Sequence, residues 1–366
     1  MTSPDGAAGR AGVGVVGTGL IGTSVALAAG AAGIAVRGWD ADRSVLDRAS
    51  AMSPLEPAGS LDDAAAAEVV FVCTTLAVVP EAAIAALNAD GRSVVSDVGS
   101  VKGSVVGEVA RASNAAARFV GGHPMAGSER SGPEAAAATL LDGATWVLTP
   151  TEGTDPIALD RVRSIVEAFG GRPVVMTPDE HDRAVALVSH LPQVVSSALM
   201  AFAGREHGQP DVLGLAAGGF RDLTRLAGSS PELWEGILVE NAPAVSDELS
   251  RFASLLMEVR DAVSSRDGAA LVSLLEEARR GRALLATKPN VRSGVVVLQV
   301  PIPDRPGALA RLTSAMADHE VNIEDLQIVH AADGGRGNAH VTVGTDQGDE
   351  ALVVLGEAGF APVRLT

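Results

Sequence analysis

The feature that most narrows what this chain can fold into is a glycine run, Gly17-Thr18-Gly19-Leu20-Ile21-Gly22. It is set between a β-branched stretch, Val13–Val16, and an apolar, alanine-rich one, Leu20–Ala32. A second apolar run, Ile34–Trp39, leads into Asp40, 23 residues beyond Gly17. Strand, glycine turn, helix, strand and acid make one βαβ unit. In such a unit the glycines allow the turn and a close backbone approach. The helix N-terminus offers amides to a pyrophosphate, and the carboxylate accepts hydrogen bonds from an adenosine ribose. A glycine pattern alone is a weak signal; here the strand, the helix and the acid all stand where a dinucleotide site needs them. Candidate cofactor contacts are Gly17, Gly19, Leu20, Ile21, Gly22, Asp40, Thr74 at the end of a later apolar run, and Ser100. Asp40 would repel a 2′-phosphate, which favours NAD and makes NADP the lesser expectation, although Arg43 works against that preference.

The same glycines decide a question of targeting. The stretch between Arg10 and Arg37 is uncharged and largely apolar, long enough for a signal peptide or a membrane span. Seven glycines in it suit a strand, turn and helix start better than a spanning helix. No other uncharged apolar stretch is read as approaching span length, and a cytoplasmic protein without membrane contact is expected. Composition excludes further classes. The chain of 366 residues has no tyrosine, which removes every mechanism with a tyrosine general acid, including the Tyr-x-x-x-Lys dyad of short-chain dehydrogenases. Aromatic residues at 3% and a net charge of −17 argue against nucleic acid, which wants stacking platforms and basic patches. Residues 1–185, 186–293 and 294–366 carry −9, −2 and −6, so the middle segment holds a small anion most easily. The single cysteine, Cys73, reads as a small core residue in a buried strand. No metal site is expected.

Along the chain, a polar tail, 1–10, precedes apolar β-branched runs at Val69–Thr74, Ser93–Asp97, Arg118–Gly121, Trp146–Thr149 and Pro173–Met176, mostly separated by alanine-rich helical stretches. That alternation predicts a mostly parallel, doubly wound α/β sheet over residues 11–180, a Rossmann-type N-terminal domain. From 181 to 286 apolar positions recur at helical spacing, with a break at Arg266-Asp267-Gly268, and an all-α second domain is expected. Residues 287–293 read as a linker. Residues 294–366 return to strand character.

Two clusters lie just past strand ends, where open α/β sheets bind ligands: Asp97-Val98-Gly99-Ser100-Val101-Lys102, and Gly121-Gly122-His123-Pro124-Met125-Ala126-Gly127-Ser128-Glu129. His123, between glycines and a proline, is expected on a loop. There it suits accepting a hydroxyl proton while hydride leaves the same carbon; the alternative is a loop histidine bonded to backbone. Ser100 is either an orienting hydroxyl or a turn residue, and Lys102 reads as a solvated charge at a helix start. Arg221 and Arg225, four apart, either grip a carboxylate or pair with Asp222 or Glu232.

In order behind the glycine run stand DVGSVK, FVGGHPMAGSE, EHDRAVALVSHLP and GGFRDLTRLAGSSPELW. Over about residues 12–285 these motifs resemble the prephenate dehydrogenase (TyrA) family, which includes the arogenate dehydrogenases. The resemblance implies NAD-linked oxidative decarboxylation: hydride leaves the ring carbon bearing the hydroxyl, carbon dioxide is lost and the ring becomes aromatic. It gives 4-hydroxyphenylpyruvate from prephenate or tyrosine from arogenate. Carried over by motif, His123 is the catalytic base with Ser100 beside it, Arg225 binds a carboxylate, and Ser189, His190 and Trp234 belong to the substrate pocket. The resemblance also implies a homodimer through the helical domain. One position departs from it: prephenate-specific members commonly read SHLPH, whereas Gln193 stands in place of the second histidine. The departure shifts the balance towards arogenate or dual use, with prephenate kept as the family default.

Residues 294–366, with Asp304-Arg305-Pro306-Gly307 and Val321-Asn322-Ile323-Glu324-Asp325 as turns, resemble an ACT domain, of βαββαβ order. The resemblance implies an amino acid, tyrosine as end product, bound near Asp304, Gly307 and Asn322; the alternative is a domain that only assists assembly. Two other functions are weighed. A β-hydroxy-acid dehydrogenase would want a catalytic lysine in 181–286, where there is none. A non-catalytic amino-acid sensor would keep the cofactor fold without turnover.

Overall fold

The computed structural model describes residues 11–127, 130–206, 213–285, 294–303, 305–330 and 336–365. The tail 1–10, Ser128, Glu129, the linker 287–293 and Asp304 lie outside the described residues. The chain forms two compact units, one of Met1–Val195 with Gly228–Arg251, the other of Ser196–Ala227 with Phe252–Thr366.

In the first unit eight strands form one sheet: β1 (Ala11–Val16), β2 (Val36–Trp39), β3 (Glu56–Pro57), β4 (Ala67–Val72), β5 (Val94–Asp97), β6 (Phe119–Pro124), β7 (Thr145–Thr149) and β8 (Arg172–Val175), in the order β3-β2-β1-β4-β5-β6-β7-β8. The pairs from β3 to β6 are parallel, as the alternation of runs predicts. Each central strand is apolar on both faces because both are covered. Val13, Val15, Val69 and Phe71 pack into one core with Trp146 and Phe169, and Val16, Val70, Val72 and Val95 into the other.

The sheet is less uniform than expected at one place. β7 returns antiparallel to β6, pairing Gly121 with Thr149 and His123 with Val147. This pairing carries β6 past Gly121 to Pro124. His123 therefore ends a strand, which corrects the loop expected there. The glycines before it serve packing: a Cβ on Gly122 would come within 2.5 Å of the Asp97 carbonyl oxygen.

Beyond β8 one long helical run replaces the sheet. Helix Pro178–Val185 passes through a wide π turn, Ala186–His190, into helix Leu191–Glu206. Pro192 accounts for that turn, since a proline ring collides with the carbonyl four residues back in a regular α-helix and a single wide turn makes room. The stretch from Ala184 to Gly204 holds no Asp, Glu, Lys or Arg. Helix Pro178–Arg205 contains an 18-residue window of mean hydropathy 1.5, long and apolar enough to cross a membrane by length and composition. This corrects the expectation that no stretch beyond the glycine run approaches span length. Three of its polar side chains, His181, His190 and Gln193, are buried against protein. Helices Pro231–Glu240 and Ala242–Ser265 meet at Asn241, and Arg266 at φ 57° makes the break expected before helix Gly268–Leu285.

In the second unit β9 (Val295–Pro303), helix Ala308–Asp318, β10 (Asp325–His330), β11 (Arg336–Gly344), helix Gly348–Glu357 and β12 (Val363–Arg364) follow in the expected βαββαβ order. The antiparallel sheet runs β10-β11-β9-β12. Its alternate residues Leu298, Val300 and Val341 pack on Leu312, Met316 and Leu355, all fully buried.

Candidate active site

The glycine run forms the turn that its spacing predicts. Gly17 sits at φ 91°, where a Cβ would lie 2.8 Å from the Cys73 carbonyl carbon. A Cβ on Gly22 would lie 1.9 Å from the Gly17 carbonyl oxygen, so only glycine lets the helix start this close to the strand. A Cβ on Gly19 would meet nothing within 4 Å, because that position faces open space at the helix N-terminus. Asp40 Oδ2 accepts from the Thr18 amide at 2.6 Å and the Thr18 hydroxyl at 3.2 Å, which ties the acid to the turn. Gly17, Gly19, Asp40, Cys73 and Thr74 line a cavity of about 490 Å³. Its size, the helix N-terminus beside it and its carboxylate suit the adenosine half of a dinucleotide. Arg43 pairs with Asp47 at 2.9 Å, turned to its own helix. Cys73 ends the apolar run half-buried, its thiol pKa pushed up by burial, then by Asp97.

Past β5 the arrangement differs from the sequence reading. Lys102 is fully buried and donates from Nζ to Asp97 Oδ2 and, at 2.8 Å, to the Gly122 carbonyl. The solvated charge expected there is thus a core ion pair. The sequence gives Lys102 no visible partner because Gly122 reaches it only through the β5–β6 pairing. Asp97 also accepts from the Gly99 amide at 2.8 Å and the Gly122 amide at 3.0 Å. Burial lowers the Lys102 pKa, and Asp97 opposes that shift. The pair therefore clamps the end of β6, one residue before His123. Ser100, half-buried, lies in the turn between them.

His123 Nδ1 lies 2.8 Å from His181 Nε2, and His181 Nδ1 lies 2.7 Å from Asp182 Oδ1. Asp182 is itself anchored, accepting from the amides of Lys102 at 2.8 Å and Gly103 at 2.7 Å. It caps helix Gly103–Ala112, whose own N-cap residue provides no side chain for the task. Burial alone would raise the Asp182 pKa, but the bonds from His181 and the two amides outweigh it and leave the carboxyl lowered. His123 is pushed well below the usual imidazole range by burial first, then by His181, Lys102 and His190. It is neutral at neutral pH.

His190, buried on the π turn, has its pKa lowered to about 4 by burial, with Asp182 opposing. Its ring meets Trp234 edge-on at 5.9 Å, and Asn241 Nδ2 lies 3.2 Å from its Nδ1. The structure thus brings His123 and Ser100 to one sheet edge, and sets His190, on the π turn with Ser189 and ahead of Gln193, against Trp234. The motif reading gave no role to His181, Asp182, Asn241 or Asp97; the Glu180-His181-Asp182 triplet held the signal, three titratable residues together near a helix start. Arg221 and Arg225 belong to the second unit, both exposed, at the end of helix Gly218–Thr224 and the start of a 3₁₀ turn, Arg225–Gly228. Gly307, at φ 84°, lines a cleft of about 440 Å³ with Arg305 and Ile328. Asn322, expected beside it, is not among the residues lining that cleft; its amide donates to Gln347 and its side chain to Glu324.

Comparison with known proteins decides the family. Residues 25–175 match the nucleotide-binding domain of prephenate dehydrogenase, 177–277 its dimerization domain and 296–354 the ACT domain. A cyclohexadienyl dehydrogenase of Zymomonas mobilis is 33% identical over 76% of this chain and 98% of its own. The chain belongs to the prephenate dehydrogenase family. Prephenate dehydrogenase of Bacillus subtilis is 32% identical over 69% of each chain. The solved prephenate dehydrogenase of A. aeolicus, in complex with hydroxyphenyl propionate and NAD+, superposes with a TM-score of 0.70 at 30% identity, over 76% of this chain and all of that one. The sheet and its glycine run are accordingly the nucleotide-binding part of an oxidoreductase, and the β-hydroxy-acid reading is set aside.

Proposed function

We propose that this chain is an NAD-dependent prephenate dehydrogenase, converting prephenate to 4-hydroxyphenylpyruvate, with His123 as the base. The supporting observation is a neutral, half-buried imidazole at the C-terminal edge of the sheet, on the strand that Asp97 and Lys102 clamp. NAD, held by the glycine turn at Gly17 and Gly19 and by Asp40, would supply the hydride acceptor for the ring carbon. His123 holds the ring hydroxyl and takes its proton as the carbonyl forms, and Ser100 orients the same hydroxyl. Loss of carbon dioxide then gives an aromatic ring, so the step does not return. Arg225, with Arg221, binds substrate carboxylate, and Ser189, His190, Gln193 and Trp234 shape the pocket. Asp40, with Arg43 turned away to Asp47, favours NAD over NADP.

Arogenate is the second reading. It is favoured by Gln193, buried where related enzymes carry a histidine, because a neutral amide tolerates the ammonium of an amino-acid side chain. The assay is NADH absorbance with NAD and either substrate: we expect prephenate to be used with the higher kcat/KM and His123→Asn to abolish turnover. Turnover of neither substrate would overturn the reading, and a kcat/KM for arogenate tenfold the higher would replace prephenate.

We further place the domain limits at 11–180, 181–286 and 294–366, in line with the matched family segments. We also propose a cytoplasmic location and a homodimer through the helical region; the homodimer is supported by large apolar side chains left exposed there, Val188, Phe202, Leu233, Val272 and Leu275 among them. Tyrosine, as end product, is proposed to bind the ACT domain near Asp304 and Gly307 and lower activity.

A further inference from the structure

His181, Asp182 and Asn241 have no part in the proposed reaction, yet they supply the ring-nitrogen partners of both pocket histidines. We propose that they are positioning residues that fix opposite tautomers: His123 bare at Nε2 and so a proton acceptor, His190 protonated at Nε2 and so a donor. The inference rests on the reading of His123 as base.

The hydrogen bonds begin at groups whose roles are fixed by chemistry. The Asp182 carboxylate only accepts, so the 2.7 Å contact requires the His181 proton on Nδ1. The reading of His123 as base sets the next bond: its Nδ1 is turned to His181, so the lone pair offered to substrate is on Nε2, and His181 Nε2 accepts from His123 Nδ1 at 2.8 Å. The His123 proton is then on Nδ1, and Nε2 carries a free lone pair. When the substrate hydroxyl gives its proton to Nε2, the imidazolium keeps its Nδ1–H bonded to His181, with the Asp182 carboxylate behind it. No second proton moves.

For His190 the deciding group is an amide. Asn241 Nδ2 lies 2.9 Å from the Asp182 carbonyl oxygen and 3.2 Å from His190 Nδ1. The carbonyl fixes the amide orientation, since turning it over would set two acceptor oxygens together. An amide nitrogen donates and cannot accept, so His190 Nδ1 accepts and its proton is on Nε2. Asp182 thereby governs both rings, one through its carboxylate and one through its backbone.

The direct test is long-range proton–nitrogen correlation on protein labelled with ¹⁵N-histidine at pH 8, assigned with His123→Asn and His190→Asn. We expect His123 protonated at Nδ1 and His190 at Nε2; the reverse tautomer at either ring overturns its arm of the inference. Kinetics give a second readout. His181→Phe is expected to lower kcat about 10²-fold, the low end for lost general-base function, with KM within about twofold. His181→Gln, which can donate to Asp182 and accept from His123, should recover most of that loss. Phe within about threefold of the native kcat, or Gln no better than Phe, would refute the role. Full activity of His123→Asn would overturn the base assignment and the His123 arm with it, while the His190 tautomer, set by Asn241, would stand.

Discussion

Lys102→Met is the most exposing perturbation of this site, because it removes one charge from a pair with no access to water. Both side chains are fully buried. The substitution keeps an apolar stem of similar length and deletes the ammonium, leaving the Asp97 carboxylate in the core with only the Gly99 and Gly122 amides. Breaking a buried pair from one side costs about 3–5 kcal/mol. The two remaining donors place this case at the low end, about 3 kcal/mol, a large part of a total stability on the order of 5–15 kcal/mol. Removing the second charge should restore some of the loss: Asp97→Asn with Lys102→Met leaves no buried ion, and we expect the double variant to be about 1–2 kcal/mol more stable than Lys102→Met. Urea unfolding followed by tryptophan emission reads this directly, since Trp39, Trp146 and Trp234 all lie in the first unit. A Lys102→Met cost below about 1 kcal/mol, or a double variant no more stable than the single one, would refute the buried pair. Because Lys102 also bonds the Gly122 carbonyl, the single variant should lose kcat as well.

Gly22→Ala, whose Cβ would come 1.9 Å from the Gly17 carbonyl oxygen, should disrupt the turn and abolish NAD binding, whereas Gly19→Ala should fold normally and weaken only NAD, as titration by protein fluorescence quenching will show. The acid limb of kcat/KM should lie well below pH 6.5, since His123, facing His181, His190 and Lys102, stays deprotonated until then; a limb at or above 6.5 contradicts the environment described. For His190 the folded pKa of about 4 lies below the unfolded value of 6.5, so stability is fully present above pH 6.5 and falls as the pH drops towards 4. That amounts to about 2 kcal/mol lost by pH 5 relative to pH 7.5, measured by urea unfolding, with His190→Asn losing less. Deleting residues 293–366 should remove tyrosine inhibition and leave basal turnover, and unchanged inhibition would place the effector elsewhere.

What was legible in the sequence divides by the range over which each feature is determined. The cofactor turn depends on residues 17 to 40, and every element of it is where its spacing puts it, because sterics within one βαβ unit leave glycine no substitute. The βαββαβ order of 295–364 was legible for the same reason: strand and helix periods alternate cleanly along it. The base environment is determined over longer range. His123 and His181 are 58 positions apart, and Lys102 and Asp182 are 80 apart. No local pattern states that the carboxylate beginning one helical run caps a helix started near Gly103. Lys102 looked solvated because lysine at a helix start usually is; it is buried because β6 passes directly over it and offers a carbonyl. His123 looked like a loop residue because glycine and proline flank it; it ends a strand because β7 comes back antiparallel and pairs with it. The misread residues share a cause: each is held by a backbone group or side chain that only the sheet order brings near. Motifs therefore located the acceptor, while the network that gives it a direction is a property of the fold.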